Sequence, residues 1–303
     1  MEDYRLKQVS VIIPTYSRPQ FLPRAIESVL AQTFSNIEII VVDDNGDGTQ
    51  NQKYTEELIR EYIENNKIIY IKHKVNKNGS AARNTGVRNS HGNYIAFLDD
   101  DDQFLPTKIE KQVAKLEKAP EKVGACYCNW AWYNEEKLQR INDKLGKGNL
   151  TESLFLMENS ICGGSSLLIR SNVYKDLNGF DESFYRHQDW EFLIRFFRKY
   201  EIGLVNEVLI HIHIESRIYT SNPEIGERHR LYYLQSFKGD ISKCKKSKDI
   251  YRTHYFYITH SYFSNGQFRK GCQWLKKANI FGNVGMLNII KCIYVYFRSF
   301  ANK

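Results

Sequence analysis

Four adjacent aspartates, Asp99 to Asp102, follow directly on the apolar run Tyr94 to Leu98, and this constrains the fold more than any other feature of the chain. An apolar β-branched or aromatic run of this length reads as a buried strand, and charges crowded at its end must lie at an edge of the sheet. The same grammar runs through the preceding residues. VSVIIP (Val9 to Pro14) leads into the polar turn Thr15 to Pro19 and a helical pattern through Leu30. IEIIVVD (Ile37 to Asp43) leads through a Gly/Asp loop to a helix around Tyr54 to Asn65, then a strand Ile68 to His73, the loop Asn76 to Ser80 and a helix near Ala81 to Ser90. Buried strands alternating with helices specify a mostly parallel sheet. In such sheets ligands bind beyond the carboxyl ends of the strands, so Thr15, Asp43 and Asp99 are expected around one crevice.

Further along, the spacing predicts a helix over Leu105 to Lys118, strands over Gly124 to Trp132 and Ser165 to Ile169, and helices over Asn172 to Leu177 and Asp189 to Lys199. Past about Gly226 the chain turns to helices rich in aromatic and basic residues, with a helical hairpin over Tyr255 to Ala278 broken at Asn265 and Gly266. The expected organisation is therefore a catalytic α/β domain over residues 1–225 and a helical C-terminal region over 226–303. The chain has 303 residues, enough for both.

With 42% hydrophobic and 26% charged residues, the composition is that of a globular protein, and no segment reaches the roughly 20 apolar residues that span a bilayer. Met1 to Val9 is polar, without the apolar core of a secretory signal, which points to the cytoplasm. Cys126, Cys128, Cys162, Cys244, Cys272 and Cys292 show no zinc-type spacing and read as reduced packing residues. The net charge of +8 is concentrated between Lys238 and Lys303 and asks for an anionic neighbour, a nucleic acid or a negatively charged membrane surface, or else serves solubility. Met286 to Phe300 suits both an interfacial helix and a helix packed on its own protein.

Four carboxylates in a row repel one another unless a cation is present, and a hard divalent ion such as Mg²⁺ or Mn²⁺ with oxygen ligands meets that need. His211 and His213 alternate in VLIHIHIESR and are expected on opposite faces of a strand, so that one reaches the site.

Taken in order, VSVIIPTYSRP, IEIIVVDDNGDGT, NGSAARNTG and FLDDDDQFLP resemble the inverting glycosyltransferases of family 2, with the GT-A (Rossmann-like) fold. The resemblance covers roughly Gln8 to Arg217. It implies that Pro14, Thr15 and Tyr16 border the nucleobase of a nucleotide-sugar donor, with UDP expected, and that Asp44 accepts a hydrogen bond from a ring nitrogen of the base. It implies a DxD motif at Asp99 and Asp101, with Asp101 a direct metal ligand, Asp102 in support and Asp100 near the ribose. Arg18, Arg83 and Asn84 are placed beside the donor. Gly163 to Phe192 resembles the acceptor side, where Asp189 matches the catalytic base. Gln188 stands where the family has an acidic residue, and Glu191 is a fallback base. His213, with Ser216, completes the metal shell or contacts the diphosphate, and Arg217 clamps phosphate.

The implied activity is transfer of a sugar to a hydroxyl of a glycan or lipid-linked acceptor in surface polysaccharide synthesis, with peripheral contact at the inner face of the cell membrane. Two other functions compete. A nucleotidyltransferase also uses strand-end carboxylates and a divalent metal, but TYSRPQF is not a glycine-rich, lysine-bearing phosphate loop. A nucleic-acid-binding protein would use the basic aromatic C-terminal region, where aromatics at helical spacing more often form a core.

Overall fold

A computed structural model describes residues 6–134, 136–158, 163–214 and 222–285, together with 290, 292, 294 and 295. It separates into two compact units, one of Met1–Leu150 and Ser160–Arg217, the other of Thr151–Asn159 and Ile218–Lys303.

Among the described residues the first unit is built on a nine-stranded sheet: β1 Val9–Thr15, β2 Ile37–Asp43, β3 Ile69–Lys72, β4 Tyr94–Phe97, β5 Asp102–Phe104, β6 Val123–Asn134, β7 Lys137–Ile141, β8 Leu167–Arg170 and β9 Glu201–His213. The order is β3-β2-β1-β4-β8-β6-β9-β5, with β7 paired on β6. The segment β3-β2-β1-β4 is parallel throughout, β8 runs antiparallel to β4 and β6, and β6 and β9 are parallel to each other. This is the expected mixed sheet with a parallel core.

β1 and β2 are buried along most of their length, which is why they are near-continuous Val/Ile runs without alternation. Leu22–Leu30 turns Leu22, Ala25, Ile26 and Val29 inward. The helix Gly79–Arg88 packs so closely on β1 that a Cβ at Gly86 would lie 2.2 Å from Ile12 Cγ2. Cys126 and Cys128 are free and buried on β6, and burial pushes the Cys128 thiol up to about 11. They are packing residues.

Parallel pairing places the carboxyl ends of β1, β2 and β4 on one edge, with Thr15 opposite Asp43. The sequence pattern missed β5. Asp102, the last of the four acids, opens this short strand and pairs with Ile212 of β9. The pairing turns the chain sharply after Asp99 and bends the acidic run back over the sheet edge.

The second unit contains the helices Thr151–Phe155, Pro223–Ser236, Lys238–Lys243, Ser247–Ser264 and Phe268–Ile280. Ile258, Tyr262 and Trp274 form its core with Leu231 and Tyr255 packed against them. The hairpin breaks at Asn265–Gln267, where Gly266 takes a φ of 72°. His254 is fully buried between Phe155 O, at 2.9 Å from Nε2, and Arg230 Nη1, at 3.0 Å from Nδ1. No helix among the described residues is long and apolar enough to cross a membrane. The expectation for Met286 to Phe300 falls largely outside the described residues.

Candidate functional site

The site is assembled on the carboxyl edge of the sheet. Asp99, Asp101 and Asp102 each offer a carboxylate oxygen, and these lie within 4.8 Å of one another. Asp100, Asp101 and Asp102 are almost completely buried, whereas Asp99 is one-third exposed. Carboxylates so close in low dielectric must share cations or protons. Two arginines already supply part of the charge. Arg18 donates from Nη2 to Asp100 Oδ1 at 2.7 Å and from Nη1 to Asp101 Oδ2. Buried Arg83 donates from Nη2 to Asp99 Oδ1 at 2.6 Å. Burial pushes the Asp100 carboxyl up to about 6 against the pull of Arg18.

Three hard oxygen donors at this spacing fit a divalent Mg²⁺- or Mn²⁺-type ion. Asp102 belongs to the three-ligand group on the same footing as the expected Asp99 and Asp101. His213, buried at the end of β9, is not part of that group.

The expectation that His211 and His213 face opposite ways is wrong. Residues two apart on a strand share a face. Their rings lie 6.5 Å apart, and both stand against Tyr133, at 4.2 and 6.1 Å.

The base-side residues divide. Tyr16 is half-exposed and Pro14 partly so, at the mouth of the site. Thr15 is buried and its hydroxyl donates to Asp100 Oδ2 at 2.8 Å, so it holds the acidic loop instead of lining a base pocket. Asp44 is buried with four partners of its own. Its Oδ1 accepts from Lys77 N at 2.9 Å and meets His73 Nδ1 at 2.7 Å, while Oδ2 accepts from Asn78 N and Asn76 Nδ2, both at 2.9 Å. These bonds use the acceptor capacity of one carboxylate. The neighbouring Asp43 accepts from Tyr70 OH at 2.7 Å and from both nitrogens of Asn45 at 2.8 Å. The pattern Asp-Asp-Asn thus braces the loop after β3 onto β2.

The helix Gln188–Phe197 is tied to β4 through aromatic contacts. Phe97 meets Phe180 at 5.4 Å, and Phe180 meets Phe192 at 5.0 Å. His187, in the left-handed region at φ 61°, is the N-cap, so Asp189 falls in the first turn and makes no cap. Its Oδ1 is buried without a hydrogen-bond partner among the described residues. Burial pushes the Asp189 carboxyl above the usual carboxylate range, opposed by the charge of Arg83 and reinforced by that of Asp99.

Glu191, the fallback base, is removed from that role. It is buried and held by Arg195 through Nε and, at 2.7 Å, Nη2, and the same arginine donates to Leu177 O and, at 2.8 Å, Gly179 O. Asn84 is also structural. Its Nδ2 donates to Phe180 O and Glu182 Oε1 at 2.9 Å, and its Oδ1 accepts from Tyr174 OH at 2.7 Å and Phe180 N at 3.0 Å.

Gly163–Ser166 approaches the acids closely. A Cβ on Gly164 would stand 3.3 Å from the Arg83 guanidinium and 3.5 Å from Asp99 Oδ1. Ser165 Oγ donates to Asp102 Oδ2 at 2.6 Å and accepts from Asp99 N at 3.1 Å. Ser216 and Arg217 lie outside the described residues.

Residues 10–177 match the model of Glycosyl transferase family 2. An uncharacterized glycosyltransferase of Rickettsia prowazekii is 33% identical over 249 residues, 80% of this chain and 74% of that protein. The UDP-Glc:α-D-GlcNAc-diphosphoundecaprenol β-1,3-glucosyltransferase of Escherichia coli is 38% identical over 125 residues, 41% of this chain and 47% of that one. Among solved structures, TarS of S. aureus in complex with UDP-GlcNAc superposes with a TM-score of 0.63 at 14% identity, covering 96% of this chain and 89% of that one. A mannosyltransferase of Pyrobaculum calidifontis in complex with GDP-Man and Mn²⁺ gives 0.59 at 16%, covering 97% and 82%. At these identities the two structures speak for the fold alone.

Proposed function

The chain belongs to glycosyltransferase family 2 and is a glycosyltransferase with a GT-A fold; on that premise we propose that it moves a sugar, with inversion, from a UDP-sugar to a hydroxyl of a glycan or lipid-linked acceptor, dependent on Mn²⁺ or Mg²⁺. The observation that carries this reading is that Arg83 bonds Asp99, one of three converging carboxylates, while its charge also acts on Asp189, one oxygen of which is buried without a hydrogen-bond partner among the described residues.

Asp99, Asp101 and Asp102 would hold the divalent ion, which when bound neutralises the charge on the leaving diphosphate. Arg83 and Arg18 offset part of the negative charge of the acids and bring positive charge to the donor's diphosphate. Pro14 and Tyr16 border the base, and Thr15 fixes Asp100 toward the ribose. Asp44 receives a ring N–H of the base in exchange for the side-chain bond from Asn76, since its other donors are two backbone amides and a buried histidine. Asp189 takes the proton of the acceptor hydroxyl as that oxygen bonds to the anomeric carbon. The bond from that carbon to the diphosphate oxygen breaks, and its electron pair leaves with the nucleotide. His213 contacts the diphosphate, and Arg217 clamps it.

UDP as the donor nucleotide and a lipid-linked acceptor are supported by the E. coli relative, whose name states both for that enzyme. A place at the inner face of the cell membrane is supported by the exposed lysines Lys238, Lys243, Lys245, Lys246 and Lys248 of the second unit.

The test is binding and turnover of UDP-, GDP- and dTDP-sugars with Mn²⁺, Mg²⁺ or EDTA, on wild type, Asp101→Ala and Asp189→Asn. Metal-dependent binding lost in Asp101→Ala, with Asp189→Asn binding donor but not turning it over, is the expected result. Binding that ignores EDTA sinks the metal assignment.

A further inference from the structure

The loop that follows β1 makes an unusual turn. Ser17 takes a φ of 62°, a left-handed conformation uncommon for a residue with a Cβ, and its N–H donates to Asn45 Oδ1 at 2.7 Å. The turn sends the Arg18 side chain across the carboxyl edge of the sheet to Asp100 and Asp101. The two carboxylates are 2% and 4% exposed, whereas the arginine that bridges them is 36% exposed. Its counterpart Arg83 is only 7% exposed, held between Asp99, Gly164 and the Phe180 ring. One of the two cations is built into the core. The other reaches in from the surface.

A buried carboxylate needs a positive partner, and Arg18 supplies it for Asp100 and for one oxygen of Asp101. Asp101 is also one of the three carboxylates that converge on the candidate metal position. A divalent ion arriving alone would meet a guanidinium bonded to one of its own ligands, and two like charges a few ångströms apart repel. The diphosphate of a nucleotide sugar changes this balance, because a guanidinium fork binds phosphate oxygens as well as carboxylate oxygens.

We propose that Arg18 is an exchangeable counter-ion: it holds Asp100 and Asp101 while the donor site is empty and passes to the diphosphate when nucleotide and divalent cation enter together. This rests on the metal-dependent transferase reading and adds an order of assembly to it. Arg18 can make the exchange because its side chain, about one-third exposed, turns without repacking the core, which Arg83 cannot do. The protein on its own therefore binds the divalent ion weakly, and nucleotide and ion bind cooperatively.

The test is titration of Mn²⁺ into wild type, Arg18→Gln and Arg18→Lys, read as free Mn²⁺ by electron spin resonance, without nucleotide and with saturating UDP or GDP. Without nucleotide, Arg18→Gln binds Mn²⁺ about tenfold more tightly than wild type, a figure reduced for the solvent screening of a side chain this exposed. The enhancement that UDP or GDP gives to Mn²⁺ binding shrinks by a similar factor. Arg18→Lys, which keeps the charge and loses the fork, falls between the two and carries the test if the glutamine variant does not fold. If wild type binds Mn²⁺ with nucleotide but the variants bind Mn²⁺ alone no more tightly than wild type, the exchange is overturned and the metal reading stands. If no protein binds Mn²⁺ under any of these conditions, both fall.

Discussion

Arg83 donates to Asp99 at 2.6 Å while its charge also acts on Asp189, so one buried guanidinium joins the end of β4 to the first turn of the helix Gln188–Phe197. Burial pulls this arginine's pKa down, and the two aspartates more than offset it, holding the guanidinium above its ordinary range. The proposed base and the candidate metal ligands thus share an electrostatic partner.

Replacing Arg83 with Gln removes the charge that holds Asp189 down. The base must be ionised to accept a proton, so the acid limb of the pH profile of kcat moves to higher pH. At neutral pH, turnover falls by about 100-fold, the scale of losing one electrostatic donor in a desolvated site. A kcat profile measured between pH 5 and 9 on both proteins checks this, and an unmoved acid limb separates Arg83 from the base.

Asp189→Asn separates catalysis from stability. As general base the residue is worth about 10² to 10⁴ in kcat, and donor binding is retained. Its carboxyl is raised in the folded state, so the protonated form is the one that folding favours. Wild type therefore loses stability as pH rises from the ordinary aspartate range through the raised folded value. The asparagine variant does not, so it melts higher than wild type at pH 8, and the gap closes below about pH 3, where the aspartate is protonated in both the folded and the unfolded state. Equal melting temperatures at pH 8 contradict the desolvated placement of the Asp189 carboxyl.

Glu191→Gln behaves in the opposite way. The buried Glu191 exists to hold Arg195, which in turn holds Leu177 O and Gly179 O beneath the site. Breaking a pair this buried costs about 3 kcal/mol, seen as a lower urea midpoint, with kcat of the folded protein unchanged. A selective loss of kcat returns Glu191 to the role of base.

The parallel half of the fold was legible because β1, β2 and β4 are continuous apolar runs with polar ends, and that pattern follows from burial on both faces. The four acids were legible for the same reason, since they interrupt such a run. Less visible was how each polar residue divides its bonds. Asn84 and Arg83 are neighbours in SAARNTG, yet one clamps the segment around Phe180 and the other reaches Asp99. Helical spacing alone does not assign those partners. His73 and Tyr70 carried no motif, and Ser165 lay in a segment read for the acceptor side; their bonds to Asp44, Asp43 and Asp102 arise from long-range pairing. The two histidines of β9 were misread, although the period of two already places them on one face.

Asp44 gives the sharpest test of the base side. Its four bonds come from Lys77 N, Asn78 N, Asn76 Nδ2 and His73 Nδ1, so the residue braces the loop before the helix Gly79–Arg88 even without nucleotide. Asp44→Asn turns one acceptor into a donor facing other donors, and the expected loss is about 1 to 3 kcal/mol of stability together with weaker UDP binding. That result alone does not separate a base contact from a loop that has come loose. Asn76→Ala does, because it removes one donor and leaves both backbone bonds and His73 in place. If the base N–H takes the position that Asn76 gives up, UDP binds Asn76→Ala at least as tightly as wild type, since the exchange no longer has to break a bond. Tenfold weaker binding by calorimetry, with an unchanged melting temperature, shows instead that Asn76 touches the nucleotide itself and that Asp44 only supports the loop.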